Sequence, residues 1–104
     1  MRQILPLMAL LLTAGQSLAA DATATGRQLL DGNCSRCHAI GTEDQSPHAQ
    51  APPFREVVKR YDPDSLQEAL VEGLVTGHPD MPEFTFTPEE TDAIITYLKT
   101  LEAR

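Results

Sequence analysis

The chain has two cysteines, and both fall within Cys34-Ser35-Arg36-Cys37-His38. This C-x-x-C-H run is the pattern for covalent haem attachment, and it limits the fold more than any other feature. Two thiols three positions apart sit on one side of a single helical turn, so both reach the two vinyl groups along a porphyrin edge. The histidine that follows is then pinned beneath the ring, where an imidazole nitrogen binds the iron. With no third cysteine, nothing is left for a separate structural disulfide. A chain of 104 residues with no tryptophan, three phenylalanines and two tyrosines is one domain at most and short of core material. Such a domain needs a staple, and a buried, covalently fixed haem supplies it.

The first nineteen residues read as a secretory signal peptide. Met1-Arg2 is a short basic start, Ile4 to Leu12 is apolar apart from Pro6, and Ser17-Leu18-Ala19-Ala20 supplies small side chains. Cleavage is expected after Ala19, with Ala20 the alternative, which leaves residues 20–104 as the folded domain. An uncleaved anchor is the competing reading, but the apolar run falls short of the roughly 20 residues a span requires. No stable membrane anchor is therefore expected after cleavage. Export also suits the motif, because bacterial c-type haem is attached outside the cytoplasmic membrane, and a periplasmic location follows.

Four helical segments separated by turn chemistry can be read, with no convincing strand, so the class is all-α with long loops. The first covers about Thr25 to Cys34. A polar, proline-bearing loop from Gly41 to Pro53 follows without regular structure. Phe54 to Arg60 forms a short helix with Phe54, Val57, Val58 and Tyr61 on its apolar face. Asp62-Pro63 pairs an acidic N-cap with proline at the first helical position. Leu66, Leu70 and Leu74, with Ala69, Val71 and Val75, then predict an amphipathic helix to about Val75, ended by Gly77. The last helix opens with a Thr87–Glu90 capping box and buries Ile94, Ile95, Tyr97, Leu98 and Leu101.

Other readings of C-x-x-C-H compete. A thioredoxin-like motif needs a preceding strand, and here a helix precedes it. A zinc site would use Cys34, Cys37 and His38 with His48 or His78, but adjacent Cys and His ligands are unusual there. A Cys34–Cys37 disulfide would be strained and would leave His38 unexplained. Met81 is the sole methionine outside the leader. It lies in a loop between Asp80 and Pro82 and not on an apolar face, so it reads as a sixth iron ligand and not as core filler. His78 is its rival, and His48 reads as a surface residue. Pro52-Pro53 reads either as a stop before the second helix or as the source of a proline carbonyl that accepts the Nδ1–H of His38 and aims Nε2 at iron. Arg55, Lys59 and Arg60 read as solvated charges, one of which, with Tyr61, is available to a haem propionate.

Taken together, the leader, Cys34-Ser35-Arg36-Cys37-His38, Ala51-Pro52-Pro53-Phe54, Met81 and the Tyr97-bearing last helix resemble a small bacterial class I c-type cytochrome. The resemblance covers essentially the whole chain after the leader. It implies a cytochrome c-like fold of about four helices packed around one covalently bound haem c. It further implies thioethers at Cys34 and Cys37, iron ligation by His38 and Met81, and Pro52 as support for His38. Gly26 matches the glycine that lets the first and last helices cross closely, with Tyr97 in the contact. The chain departs from the pattern at Leu30, where an aromatic is usual, so slightly looser packing is expected there.

These features predict a monohaem one-electron carrier and not an enzyme, because two protein ligands leave no open iron site. The alternatives are a haem enzyme or gas sensor with a labile Met81, or a cytochrome subunit of a larger oxidoreductase. The formal charge is −7, and −8 once Arg2 leaves with the leader. That balance disfavours nucleic acid and points to redox protein partners with basic docking surfaces.

Overall fold

In the computed structural model, residues 2–4, 14–73 and 79–102 are described, with backbone alone for 14–17 and 19. Four α-helices and no strand occur among them: α1 (Ala14–Asn33), α2 (Phe54–Arg60), α3 (Gln67–Glu72) and α4 (Pro88–Glu102). A 3-10 turn, Pro63–Leu66, leads into α3. Among the described residues no helix is long and apolar enough to cross a membrane.

Helix α1 starts well before the expected Thr25, because five alanines and a leucine between Ala14 and Ala24 outweigh the weaker helix formers Gly15, Ser17, Asp21 and Thr23. It stops at Asn33, where two side chains cap its last carbonyls. Asn33 Nδ2 donates to the Leu29 carbonyl at 2.8 Å, and the Ser35 hydroxyl donates to that of Asp31. Leu18, Ala20 and Asp21 are exposed, and from Ala20 onward the first buried residue of α1 is Gly26.

The core is the crossing of α1 on α4. A Cβ at Gly26 would lie 2.6 Å from the Ala93 carbonyl carbon, closer still to its oxygen, and 3.0 Å from Tyr97 Cβ. Only glycine permits that approach. Leu30, Ile94, Tyr97, Leu98 and Leu101 close around it, joined by Ile40, Val58 and Phe86. Leu30 is 4% exposed in this cluster, so the position that usually holds an aromatic is filled. Tyr97 gains a cover of another kind. The Arg27 guanidinium lies 5.7 Å from its ring centre and donates to its hydroxyl at 3.0 Å.

Helix α4 opens as expected. The Thr87 N–H donates to Glu90 Oε1 at 3.0 Å, and the Glu90 N–H donates to Thr87 Oγ1 at 3.1 Å. Its buried face holds the five residues predicted, plus Thr91 and Ala93. The segment after Asp62 differs from expectation. Asp62 Oδ1 accepts from the Asp64 N–H at 3.1 Å, but the first turn is 3-10, and α3 ends at Glu72. Gly73 takes φ +114°, which L side chains rarely adopt, and its N–H caps the Ala69 carbonyl at 2.9 Å. A continuous helix to Val75 is thus ruled out at Gly73. Leu74, Val75, Gly77 and His78 lie outside the described residues. Tyr61 is 57% exposed and extended, so it leaves the apolar face assigned to α2.

Candidate metal centre

The C-x-x-C-H run forms one further turn beyond the end of α1. The Cys34 N–H donates to the Leu30 carbonyl at 2.8 Å, and the Cys37 and His38 N–H groups both return to the Cys34 carbonyl, at 3.1 and 2.9 Å. The two thiols are unbridged and half-buried. Burial, with a smaller contribution from Cys37, pushes the Cys34 thiol up to about 11. Thiol-redox motifs need the opposite shift, towards a thiolate at neutral pH.

His38 is held from two sides. Its Nδ1 lies 2.7 Å from the Pro52 carbonyl oxygen, and its ring stacks on Phe54 at 4.8 Å with a 19° interplanar angle. The Phe54 N–H donates to the Ala39 carbonyl at 2.9 Å, which locks the proline pair alongside the histidine. An imidazole that donates from Nδ1 to a carbonyl has its Nε2 lone pair available for a metal. One residue further on, the Tyr97 hydroxyl donates to the Ile40 carbonyl, so the motif is also bonded to the α1–α4 core.

The loop from Gly41 to Pro53 has more order than its composition suggested. Ser46 Oγ accepts from the Ala39 N–H at 3.0 Å, and Asp44 Oδ1 accepts from the Gly41 N–H at 3.0 Å. Arg55 pairs with Asp44 at 3.5 Å and Lys59 with Glu56 at 3.2 Å, so two of the three cations considered for a propionate already have carboxylate partners. A groove of about 610 Å³ lies on the outer side of Pro52-Pro53, lined also by Pro47, Ala51 and Arg60. It includes neither cysteine nor His38, so it is a feature of the proline step and not of the metal centre.

His48 is half-buried and engaged, not a plain surface residue. Its N–H donates to the Cys37 carbonyl at 3.2 Å, its Nδ1 accepts from the Gln50 N–H at 3.1 Å, and its Nε2 meets Asp80 Oδ2 at 3.3 Å. It is therefore not directed at the cysteines as a zinc ligand would be. Among the described residues, no three His, Cys, Asp or Glu side chains gather to hold a metal ion. Met81 is half-buried in the segment that Asp80 begins. The structure thus brings Cys34, Cys37, His38 and Pro52 together directly, and it connects the Met81 segment to them through His48. Composition and spacing gave no sign of His48, Asp80 or Arg27 in these roles.

Two unbridged thiols on one turn and an imidazole fixed through Nδ1 form a donor set that fits haem c. The class this defines is a small helical haem protein. A family model for cytochrome c matches residues 23–102, and the chain belongs to that family. It is a haem-based electron carrier with covalently attached haem c, and its partners are redox proteins. No curated protein and no solved structure matches the chain.

Proposed function

We propose that this protein is an exported, periplasmic one-electron shuttle whose iron is held by His38 and Met81. The observation that supports this reading best is the 2.7 Å contact between His38 Nδ1 and the Pro52 carbonyl, which leaves Nε2 available to a metal. Haem bound here would supply an Fe(III)/Fe(II) couple able to take one electron from a donor protein and pass it to an acceptor. Cys34 and Cys37 fix its edge to the turn after α1. Pro52 keeps the His38 ring from rotating and makes it a stronger donor. The Met81 thioether, soft and neutral, favours Fe(II) and raises the reduction potential. With His38 and Met81 both engaged by the iron, the protein would exchange electrons without admitting substrate.

Export rests on the basic and apolar start and the small residues before Asp21. Next to the expected cleavage site Leu18 is 70% exposed, and Ala20 and Asp21 are exposed as well. The N-terminus of the periplasmic protein checks this directly. Exposed acids at Asp62, Asp64, Glu68, Glu72, Glu89 and Asp92 suit a basic partner face. Electron-transfer rates with such a partner should fall as salt rises.

An optical and redox titration of the exported holoprotein tests the site. The ferric protein should show the weak sulfur-to-iron band at the red end of the visible spectrum, and the ferrous protein should bind carbon monoxide slowly. Met81→Ala should abolish the band, lower the potential and make carbon monoxide binding fast. A wild-type protein that already behaves like the variant would establish the enzyme or sensor reading instead.

A further inference from the structure

One side chain connects the two segments that are proposed to carry the iron ligands. The His48 backbone is fixed against the attachment motif by its N–H bond to the Cys37 carbonyl at 3.2 Å, and its own carbonyl accepts from the Ala51 N–H at 3.1 Å. The ring is fixed as well. Nδ1 accepts from the Gln50 N–H at 3.1 Å, so a neutral imidazole has its proton on Nε2. That N–H faces Asp80 Oδ2 at 3.3 Å, across 32 residues of chain. The contact therefore joins a carboxylate to a donor that needs no added proton. Asp80 is the residue immediately before Met81.

The far end of the Met81 segment has its own anchor. The Phe86 N–H donates to the Leu70 carbonyl at 2.9 Å, and the Phe86 ring stacks with Phe84 at 6.2 Å. Between these points Pro82, Glu83 and Thr85 are exposed, and Met81 is held from both sides instead of being packed into the core.

We infer that His48 is a positioning residue for Met81: by holding Asp80 against the Cys37 segment, it keeps the thioether in place and sets how often the sixth iron position opens. The inference rests on the His38/Met81 reading. The pair is half-exposed, with 32% and 62% of the two side chains accessible, so it adds little to global stability. Opening one loop costs far less than unfolding the domain, so the same contact has a larger relative effect there.

The test uses holoprotein carrying His48→Ala, Asp80→Ala and both together. Carbon monoxide association with the ferrous protein and imidazole association with the ferric protein report how often Met81 leaves. Each single variant should raise these rates about two- to fivefold, the range expected for losing one half-exposed polar contact. The double variant should raise them no further, and His48→Gln, which keeps a donor within reach, should restore part of the wild-type behaviour. Melting temperature should barely move, which separates positioning from loss of fold. Amide hydrogen exchange over residues 79–84 should quicken in the same non-additive way. Rates unchanged in the single variants, or additive in the double, overturn the inference while leaving Met81 ligation intact. Absence of the sulfur-to-iron band in the wild-type protein overturns the ligation itself, and with it the role given to His48.

Discussion

Around the α1–α4 crossing, Leu30, Ile94, Tyr97, Leu98 and Leu101 are each no more than 4% exposed. Beside Met81, in contrast, Asp80, Pro82, Glu83 and Thr85 all face solvent. The crossing is held by close backbone approach at Gly26 and by buried side chains. The Met81 segment is held by a polar tie at Asp80, a backbone bond at Phe86 and prolines that restrict the open chain. Stability therefore sits in one region and the proposed Met81 ligand in the other. Changes near Met81 should alter iron chemistry while the fold persists, whereas changes at the crossing should remove the fold and the chemistry together.

Gly26→Val should break the first region most severely. Its side chain would overlap the Ala93 carbonyl, and overpacking a backbone contact of this kind should cost about 3 kcal/mol or more. Denaturant unfolding of the holoprotein measures it, and a near-normal midpoint would mean that the crossing can slide. Tyr97→Phe should cost about 1–3 kcal/mol in the same assay, because it leaves the buried Ile40 carbonyl unpaired. Pro82→Ala should cost the least, about 0.5–1 kcal/mol, through the added freedom of the unfolded chain. If Pro82→Ala proves as costly as Tyr97→Phe, the division between a stable crossing and a tunable loop fails.

The parts of the molecule legible in the sequence are those set by local spacing. Thr87 and Glu90 stand at capping-box distance, Ile94 to Leu101 repeat at helical intervals, and Phe54 to Arg60 is bounded by prolines and an acidic turn. The contact of Pro52 with His38 was legible only through the family resemblance, since the proline pair by itself reads equally as a helix stop. Helix α3 was misread because its leucine period continues past Gly73 and conceals the residue that ends it. A glycine within a periodic run shows its backbone conformation only when the structure does. Arg27 on Tyr97, Arg55 on Asp44 and His48 on Asp80 were not legible at all. Each joins polar side chains distant in sequence, and no periodicity or turn rule relates their positions.

The crossing has a further consequence for how the chain folds. Arg27 and Tyr97 are 70 residues apart and Tyr97 and Ile40 are 57 apart, yet one hydroxyl joins all three. Everything between α1 and α4, the His38 and Met81 segments included, lies inside a single loop that this junction closes. Loop-closure entropy grows only with the logarithm of length, so enclosing so much chain costs little more than enclosing half of it. Contacts of such long sequence separation are nonetheless slow to form. The folding rate of this small domain should accordingly be set by the meeting of its first and last helices, with the Tyr97 hydroxyl as the latch that completes it.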